Sequence, residues 1–428
     1  MTAQTRHLMR RLGVAALALS VAFGVSVAPT RGATPPAPAR FPALDGGGPV
    51  LPHIKVTAMT ATPGGALYAA GVYVVPNTDQ ASGYKVSTLG SAWLVSQDHG
   101  ATWDQRVSTT DPKVFPAHGI APWTNHNALP IDFTPLEITV DPHNPRVIYI
   151  AGCVDIGATC YEPTPGMGGH LLVRSTDGGR TWQDALTTST PIARAGALPP
   201  GTALPTAAYA LLVDPHDSRR LYLAVNDMGV LRSENAGRTW VIVPQPQNNK
   251  IGRPCELLAD PQDSRTVYEL AREGALYRTT DAGAHWQVRA GLNGQLGTTS
   301  ATSLTWVGHT LYVTTDKGIA ASQDGGATWR IVYGLPVTGS FDQSVRGAGG
   351  WISTFSPLHS GPIAGLYSVR DGNRWQAVAN TEGRGIHGAL DFSGTGTYLE
   401  TRLWEDHTAR IVFTAGPDGG LYRWQATL

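Results

Sequence analysis

Short apolar runs separated by Gly, Pro and Asp dominate the pattern of hydrophobic and polar positions along the chain. Three segments share one layout, in which an apolar run enters an Asp-Pro pair and a second apolar run with a Tyr follows. These segments run from Val140 to Ile150, from Val213 to Ala224 and from Ala259 to Leu270. Alternating β-branched and aromatic residues between such turn residues indicate β-strands. The sequence therefore predicts pairs of strands joined by Asp-Pro turns.

An eight-residue motif, which we call the box, recurs along the chain. Good copies are Ser96–Trp103, Ser175–Trp182, Ser233–Trp240, Thr279–Trp286 and Ser322–Trp329, and a worn copy is Ser368–Trp375. Its third positions are Asp98, Asp177, Asn235, Asp281 and Asp324. An Asp here can accept hydrogen bonds from backbone N–H groups of a tight turn, Gly supplies positive φ, and Trp buries a large aromatic surface. The box therefore predicts a structural turn between a third and a fourth strand.

The spacing of the boxes predicts the architecture. The later boxes recur at close to the roughly 40–45 residues of a four-stranded propeller blade. The predicted repeats are 52–108, 135–187, 206–245, 254–290, 299–333, 341–379 and 386–428. The last repeat lacks a full fourth strand, so we expect residues 41–50 to supply it and remove an exposed sheet edge. The predicted fold class is all-β, a single seven-bladed β-propeller.

Composition agrees with a turn-rich β protein. The 428 residues include 50 Gly and 31 Pro, and only 15% are charged. Many turn formers with sparse charge fit neither a helical nor a disordered chain. The formal net charge is zero, which gives no support for a nucleic-acid partner or an anionic membrane surface.

Residues 1–28 have the features of a signal peptide. Three arginines precede an apolar run over 12–27, and residues 26–28 form a small-x-small cleavage site. Residues 29–40 follow as a Pro/Ala-rich linker, and 41–428 form the predicted propeller domain. These features predict a secreted or extracytoplasmic monomer with no stable membrane span after signal removal.

Three cysteines fit that compartment. Cys153 and Cys160 lie close together in one segment, so a local disulfide is expected in an oxidising environment. Cys255 would then remain a buried apolar thiol. With no CxxC pair and no clustered His, neither a metal nor a cofactor is predicted.

The first two blades depart from the repeat. Insertions at 76–90, 104–134 and 152–170 fall there, and 187–205 connects the second blade to the third. In a propeller, turns from second to third strands and blade-to-blade connections emerge on one face, which we call the loop face. The boxes emerge on the opposite face, the box face. Long loops on a regular scaffold often carry function, so the loop face of blades 1 and 2 is the predicted functional surface.

Acidic residues on that face suggest one candidate chemistry. A carboxylate pair separated by about 5 Å, or by about 6.5–9.5 Å, would suit glycoside hydrolysis. Asp155 and Glu162 lie in the 152–170 insertion, whereas Asp227 and Asp316 each stand near a Gly in a hairpin turn. For a hydrolase, the catalytic candidates are Asp155 and Asp227. The alternative for all of these acids is a solvated loop or a structural turn.

The 104–134 insertion contains Trp123 beside amide and imidazole side chains. An exposed Trp of this kind can carry a sugar ring or a peptide. Alternatively, Phe115, Trp123 and Phe133 pin the insertion to blade 2. The predicted binding residues are Trp123, His126, Tyr161, Glu162 and Asp316.

In its boxes the chain resembles the Asp-box, or bacterial neuraminidase repeat, propellers over nearly all of residues 52–428. That superfamily includes sialidases, xyloglucan-specific endoglucanases, sortilin-type receptors and photosystem II assembly factors, so the resemblance implies a fold rather than one activity. Membership of the sialidases would imply an Arg-Ile-Pro motif near the first strand. The most similar tripeptide here, Arg40-Phe-Pro, precedes the first blade. The turn at 418–424 is similar to that of xyloglucanases. Those enzymes, however, use two facing propellers.

The expected function is that of an exported, non-enzymatic propeller binding a protein or glycan through the long loops of blades 1 and 2. The alternative is a glycoside hydrolase, xyloglucanase-like or sialidase-like, with a carboxylate pair on the same face.

Overall fold

The chain folds into antiparallel sheets whose strands are consecutive in sequence. A computed structural model describes residues 54–62, 64–76, 86–109, 128–131, 133–154, 169–188, 190, 193–194, 207–225, 228–243, 254–271, 274–289, 291–335, 340–347, 350–356, 365–370, 374–377, 390–391, 398–399, 403–406, 411–415 and 421–425. The chain divides into two units, and all described residues belong to the second, Arg40–Leu428. The signal peptide and linker expected over 1–40 lie outside the described residues and stay predictions.

Three sheets form the first half of the structure. The first contains β1 (Ile54–Ala61), β2 (Leu67–Pro76), β3 (Val86–Ser96) and β4 (Asp104–Thr109). The second contains β5 (Phe133–Val140), β6 (Ile148–Val154), β7 (His170–Ser175) and β8 (Gln183–Thr187). The third contains β9 (Ala193–Arg194), β10 (Ala208–Val213), β11 (Leu221–Val225), β12 (Gly229–Ser233) and β13 (Val241–Ile242).

The later sheets repeat this order. The fourth contains β14 (Pro254–Ala259), β15 (Val267–Ala271), β16 (Leu276–Thr279) and β17 (Gln287–Val288), and helix α1 (Leu292–Leu296) follows. The fifth contains β18 (Ala301–Val307), β19 (Thr310–Thr315), β20 (Gly318–Ser322) and β21 (Arg330–Gly334). The sixth contains β22 (Ser340–Gly347), β23 (Gly350–Ser356), β24 (Gly365–Arg370) and β25 (Gln376–Ala377). The last strands are the pair β26 (Leu390–Asp391) and β27 (Tyr398–Leu399), then a sheet of β28 (Leu403–Asp406), β29 (Ile411–Ala415) and β30 (Leu421–Gln425).

The first strands of successive sheets contact one another in order. β1 contacts β5, and the contacts continue through β10, β14, β18 and β22 to β28, which in turn contacts β1. Leu421 of β30 packs with Ile54 and Val56 of β1. The sheets therefore follow one another around a closed ring with their first strands innermost, which confirms the all-β propeller architecture.

The core lies between neighbouring sheets. Trp93 of the first sheet and Trp182 of the second are fully buried and meet edge to face, with ring centroids 4.9 Å apart. Phe133 is buried in the same cluster, so this residue does pin the end of the 104–134 insertion. Full burial of a large apolar side chain contributes about 1.5–3 kcal/mol, and such clusters hold the sheets together.

The first strand carries a β-bulge near its start in each of six sheets. In β1 the register shifts between Val56 and Ala58. Equivalent shifts leave one residue out of the ladder in β5, β10, β14, β18 and β22. The extra residues are Thr57, Leu136, Tyr209, Cys255, Thr302 and Asp342. Thr57 Oγ1 donates to the carbonyl oxygen of Pro135 in the next sheet, so a bulge can tie neighbouring sheets together.

Two elements were not predicted from the sequence. β9, from the 187–205 insertion, pairs in parallel with β13 as a fifth strand. α1 places Leu292 in the cluster between the fourth and fifth sheets. β9 pairs with β13, and α1 follows β17. Each of these outermost strands has only two residues, and a strand that short would otherwise leave backbone groups and apolar side chains open to solvent.

The last predicted repeat also differs from the structure. Its three-stranded sheet begins at Leu403, and the short pair β26–β27 precedes it as a separate sheet. The closing strand expected from residues 41–50 lies outside the described residues. No helix in the described part of the chain is long and apolar enough to cross a membrane.

Candidate functional site

Each of the five good box turns is held by the side chains of its first, third and seventh residues. In the fifth box, Ser322 Oγ donates to Asp324 Oδ1 at 2.8 Å and accepts from the Gly326 N–H at 2.8 Å. Asp324 accepts from the Thr328 N–H at 2.9 Å and from Thr328 Oγ1 at 2.6 Å. The same contacts recur around Asp98 and Asp177. The box is therefore a structural turn, in which the Ser and Thr hydroxyls have a part not predicted from sequence.

These hydrogen bonds keep the box carboxylates ionised. The Thr102 hydroxyl and N–H lower the pKa of Asp98 to about 2. For Asp177, partial burial raises the pKa, but the Thr181 hydroxyl and N–H outweigh it and the pKa falls to about 2. A carboxylate that stays ionised near neutral pH has no proton to donate, so the box acids are not suited to act as general acids.

Acid should therefore weaken the boxes. A depressed pKa means that the ionised Asp98 and Asp177 stabilise the fold fully above about pH 4, and that this contribution is lost as the pH falls towards about 2. We expect the free energy of unfolding in urea titrations to fall over this range. The third box offers a matched comparison, because Asn235 Nδ2 donates to Thr239 Oγ1 at 2.8 Å and does not titrate. Asn235→Asp should steepen the pH dependence and Asp177→Asn should reduce it. Parallel curves for all three proteins would contradict the assignment.

Boxes also join neighbouring sheets. Tyr149 Oη of the second sheet donates to the Ala236 carbonyl of the third box at 3.4 Å. Tyr268 Oη of the fourth sheet reaches the Gly325 carbonyl of the fifth box at 3.4 Å. Arg232 Nη1 donates to the Ala282 carbonyl of the fourth box at 2.9 Å. The third, fourth and fifth boxes therefore each contact the sheet before them.

An Arg immediately before several boxes takes part in these junctions. The Arg174 guanidinium lies 5.6 Å from the Tyr149 ring centroid, and that of Arg278 lies 5.5 Å from the Tyr268 ring centroid. The first sheet has Val95 at this position, and Arg106 of β4 instead donates to the Gly179 carbonyl at 3.2 Å. The recurring Tyr was recognised in the sequence, whereas its cross-strand Arg was not.

Backbone contacts place the boxes and the Asp-Pro turns on the same face. The Gly178 N–H donates to the Arg146 carbonyl at 2.9 Å, and the Ala282 N–H to the Arg265 carbonyl at 2.8 Å. Because strands alternate in direction, turns between second and third strands lie at the other ends of the sheets. The insertions at 76–90 and 152–170 therefore leave from the loop face.

Asp316, a predicted binding residue, lies in the turn between β19 and β20. Its carboxylate accepts from the Thr299 N–H at 3.0 Å and from Thr299 Oγ1 at 2.9 Å. It also lies 3.5 Å from Lys317 Nζ, and its side chain is 12% exposed. These contacts tie the connection before β18 to the hairpin, so the carboxylate has a structural part.

The remaining predicted site residues lie outside the described part of the chain. They are Trp123, His126, Asp155, Cys160, Tyr161, Glu162 and Asp227. Cys153 lies in β6, buried with Leu136 and Ala207, and its pairing with Cys160 stays a prediction.

The ends of the insertions are attached to the first two sheets. Ser91 Oγ donates to the Pro130 carbonyl at 2.7 Å. Where the 152–170 and 187–205 insertions meet the second sheet, His170 Nδ1 lies 2.7 Å from Asp184 Oδ1. The His170–Asp184 pair was missed in the sequence, where the position of His170 at an insertion boundary was the available signal. In the described part of the chain, no group of three or more His, Cys, Asp or Glu could hold a metal ion.

Comparison with known proteins identifies the fold. No protein family profile matches the chain. A curated xyloglucanase from Paenibacillus sp is 26% identical over 376 residues, which cover 87% of this chain and 30% of that protein. The chain therefore spans less than a third of the length of this relative.

Two solved structures have similar folds. YCF48 bound to D1 peptide has a TM-score of 0.53 at 12% identity, with 88% of this chain and 95% of that chain covered. PorZ, a surface component of the type-IX secretion system of Porphyromonas gingivalis, has a TM-score of 0.53 at 11% identity, with 86% and 46% covered. The resemblance to Asp-box propellers is confirmed, and identities this low establish the fold alone.

Proposed function

We propose that this chain is a secreted, non-enzymatic seven-bladed propeller that binds an extended segment of a partner protein. Its binding surface is the loop face of the first two blades. The observation that supports the proposal is that the long insertions start from neighbouring sheets. Their attached ends include Pro130 on β3 and the His170–Asp184 pair of the second sheet.

The ring of first strands supports seven blades. β1, β5, β10, β14, β18, β22 and β28 contact in turn and return to β1. The seventh blade has three described strands, β28, β29 and β30. We propose that residues 41–50 add the fourth, after export directed by residues 1–28.

The acids in the described part of the chain have structural roles. A glycosidase needs one carboxyl group that donates a proton and a second that acts as nucleophile or base. Hydrogen bonds hold the pKa of Asp98, Asp177 and Asp281 near 2, and the carboxylate of Asp316 accepts two hydrogen bonds from Thr299. Within the described ranges these acids are used for structure.

The comparisons favour binding over hydrolysis. This chain covers 95% of a YCF48 chain that was solved with a D1 peptide. It covers only 30% of the xyloglucanase. The match to the peptide-bound YCF48 chain therefore extends over nearly the whole length of that chain, which the match to the xyloglucanase does not.

Trp123 and His126 in the 104–134 insertion, with Tyr161 and Glu162 in the 152–170 insertion, are the proposed contact residues. Trp supplies a large apolar surface at low entropic cost, and its indole N–H can hold a peptide carbonyl. Tyr and His add polar contacts that fix orientation.

A random peptide display library screened against the full chain tests the proposal. We expect enriched peptides whose affinity falls by about tenfold or more for Trp123→Ala, as loss of an aromatic anchor predicts. Arg238→Ala is the matched control, because Arg238 is exposed in the third box on the opposite face. Peptides unaffected by Trp123→Ala and weakened by Arg238→Ala would refute the site.

The alternative is hydrolysis of a β-glucan, which the xyloglucanase relative suggests. Release of reducing ends from xyloglucan by the wild-type chain, lost in Asp155→Ala and Asp227→Ala, would replace the binding proposal. No release, together with enriched peptides, would support it.

A further inference from the structure

We propose that Asn293 in α1 is a site of spontaneous covalent modification. In this reaction the main-chain nitrogen of Gly294 attacks the Asn293 side-chain amide, and the residue becomes aspartate or isoaspartate. The inference rests on α1 and the fifth box and is independent of the proposed ligand.

Sequence and geometry both single out this residue. Asn293-Gly294 is the one Asn-Gly pair in the chain, and both residues are exposed. The Gly294 N–H donates to Asn293 Oδ1 at 2.8 Å, which brings the side-chain amide against the attacking nitrogen. A Cβ built on Gly294 would meet nothing within 4 Å, so no neighbouring group packs against this glycine.

The chemistry requires only water as a co-reactant. A bond forms between Gly294 N and Asn293 Cγ, and the side-chain nitrogen leaves as ammonia with the proton from Gly294 N. Water then opens the resulting five-membered imide at either carbonyl. One opening gives aspartate, and the other gives isoaspartate, in which the main chain runs through the former side chain.

α1 offers little resistance to the backbone rotation that the attack needs. The helix has five residues, and its N-cap, Gly291, makes no side-chain capping hydrogen bond. Helices this short have little stability of their own because the first turn is costly to form. Contacts at its two ends, rather than the helix itself, therefore hold the segment in place.

Those contacts make the modification consequential. Leu292 is buried, and its N–H donates to the Gly274 carbonyl at 3.1 Å. Gln295 Nε2 donates to the Ala327 carbonyl at 2.9 Å, and Gln295 Oε1 accepts from the Trp329 N–H at 2.9 Å. Asn293 lies between these anchors, so isoaspartate lengthens the main chain between them. The Gln295 contact with the fifth box should then be lost.

Two other asparagines serve as internal controls. Asn144 precedes Pro145, which has no N–H to lose. Asn235 Oδ1 accepts from the Thr239 N–H at 2.9 Å, and Asn235 Nδ2 donates to Thr239 Oγ1 at 2.8 Å. These bonds hold its amide away from the following nitrogen.

Peptide mapping by mass spectrometry, after storage of the full chain at mildly alkaline pH, tests the inference. We expect a gain of one mass unit at Asn293, faster than at Asn235 by about tenfold since a following Gly leaves the nitrogen unhindered. Gly294→Ala should slow the gain and Asn293→Gln should abolish it. Conversion at Asn293 no faster than at Asn235 would overturn the proposal.

Hydrogen exchange separates the modification from its structural effect. In the isoaspartate fraction, amides of 325–329 should exchange faster than in unmodified protein, because the Gln295 contact is lost. Unchanged exchange in that fraction would refute the loss of the Gln295 contact.

Discussion

Replacing Gly179 with alanine will destabilise the protein by about 3 kcal/mol or more, the sum of left-handed backbone strain and overpacking. Gly179 has φ +80°, and an added Cβ would lie 2.6 Å from ring atoms of Trp93. Trp93 is fully buried between the first and second sheets, so its ring has little room to move. Urea unfolding of wild type and variant measures the difference, provided that both show the same m-value.

Gly178 in the same box is the matched control. It has φ +78°, but a Cβ there would meet nothing within 4 Å. Gly178→Ala should therefore cost only the left-handed conformation, about 1–2 kcal/mol. Equal losses for the two variants would show that Trp93 can yield, and that the junction between these sheets is not closely packed.

Trp240→Ala will lower the free energy of unfolding by about 3–5 kcal/mol, as expected for a fully buried Trp. Trp240 lies in the cluster between the second and third sheets. Its Nε1 donates to the Gly237 carbonyl in its own box and to the Ala185 carbonyl of β8, both at 3.1 Å. Loss of the ring removes apolar contact and leaves two carbonyl groups without this donor.

Two further variants separate the contributions that the apolar contact and the hydrogen bonds of Trp240 make to the free energy of unfolding. Trp240→Phe keeps most of the apolar contact and loses both hydrogen bonds, so we expect about 1–3 kcal/mol. Trp103 is half-buried and donates to the Gly100 carbonyl of its own box at 3.1 Å. Trp103→Ala should therefore cost less than Trp240→Ala. If urea titrations showed the same loss of unfolding free energy for both alanine variants, the contacts of Trp240 with the neighbouring sheet would add nothing to stability.

The fold could be predicted from the sequence because each box determines its turn locally. Ser322, Asp324 and Thr328 bond to one another and to backbone within one turn, so eight residues specify the hairpin. Apart from β9, the six described sheets with boxes or a worn box match the first six repeats to within a few residues. The last repeat was placed less well, since its sheet begins at Leu403.

Other features depend on contacts between distant residues. Arg106 replaces the missing Arg of the first sheet from a different strand, which no local pattern predicts. β9 pairs with the edge of the short strand β13, and α1 follows the short strand β17 and packs between the fourth and fifth sheets. The pairing of His170 with Asp184 depends on strand register. The candidate binding residues of the insertions stay predictions, because these insertions have no other copy in the chain with which to compare them.

The repeated bulge bears on how the chain arose. A bulge adds one residue to a strand, and separate acquisitions would fall at different rungs of the ladder. Here the shift lies four ladder pairs before the turn to the second strand in β1, β5, β10 and β14, and five pairs before it in β18 and β22. Tandem duplication of one ancestral unit that already contained the bulge accounts for this regularity. The sixth repeat keeps the bulge while its box, Ser368–Trp375, has decayed.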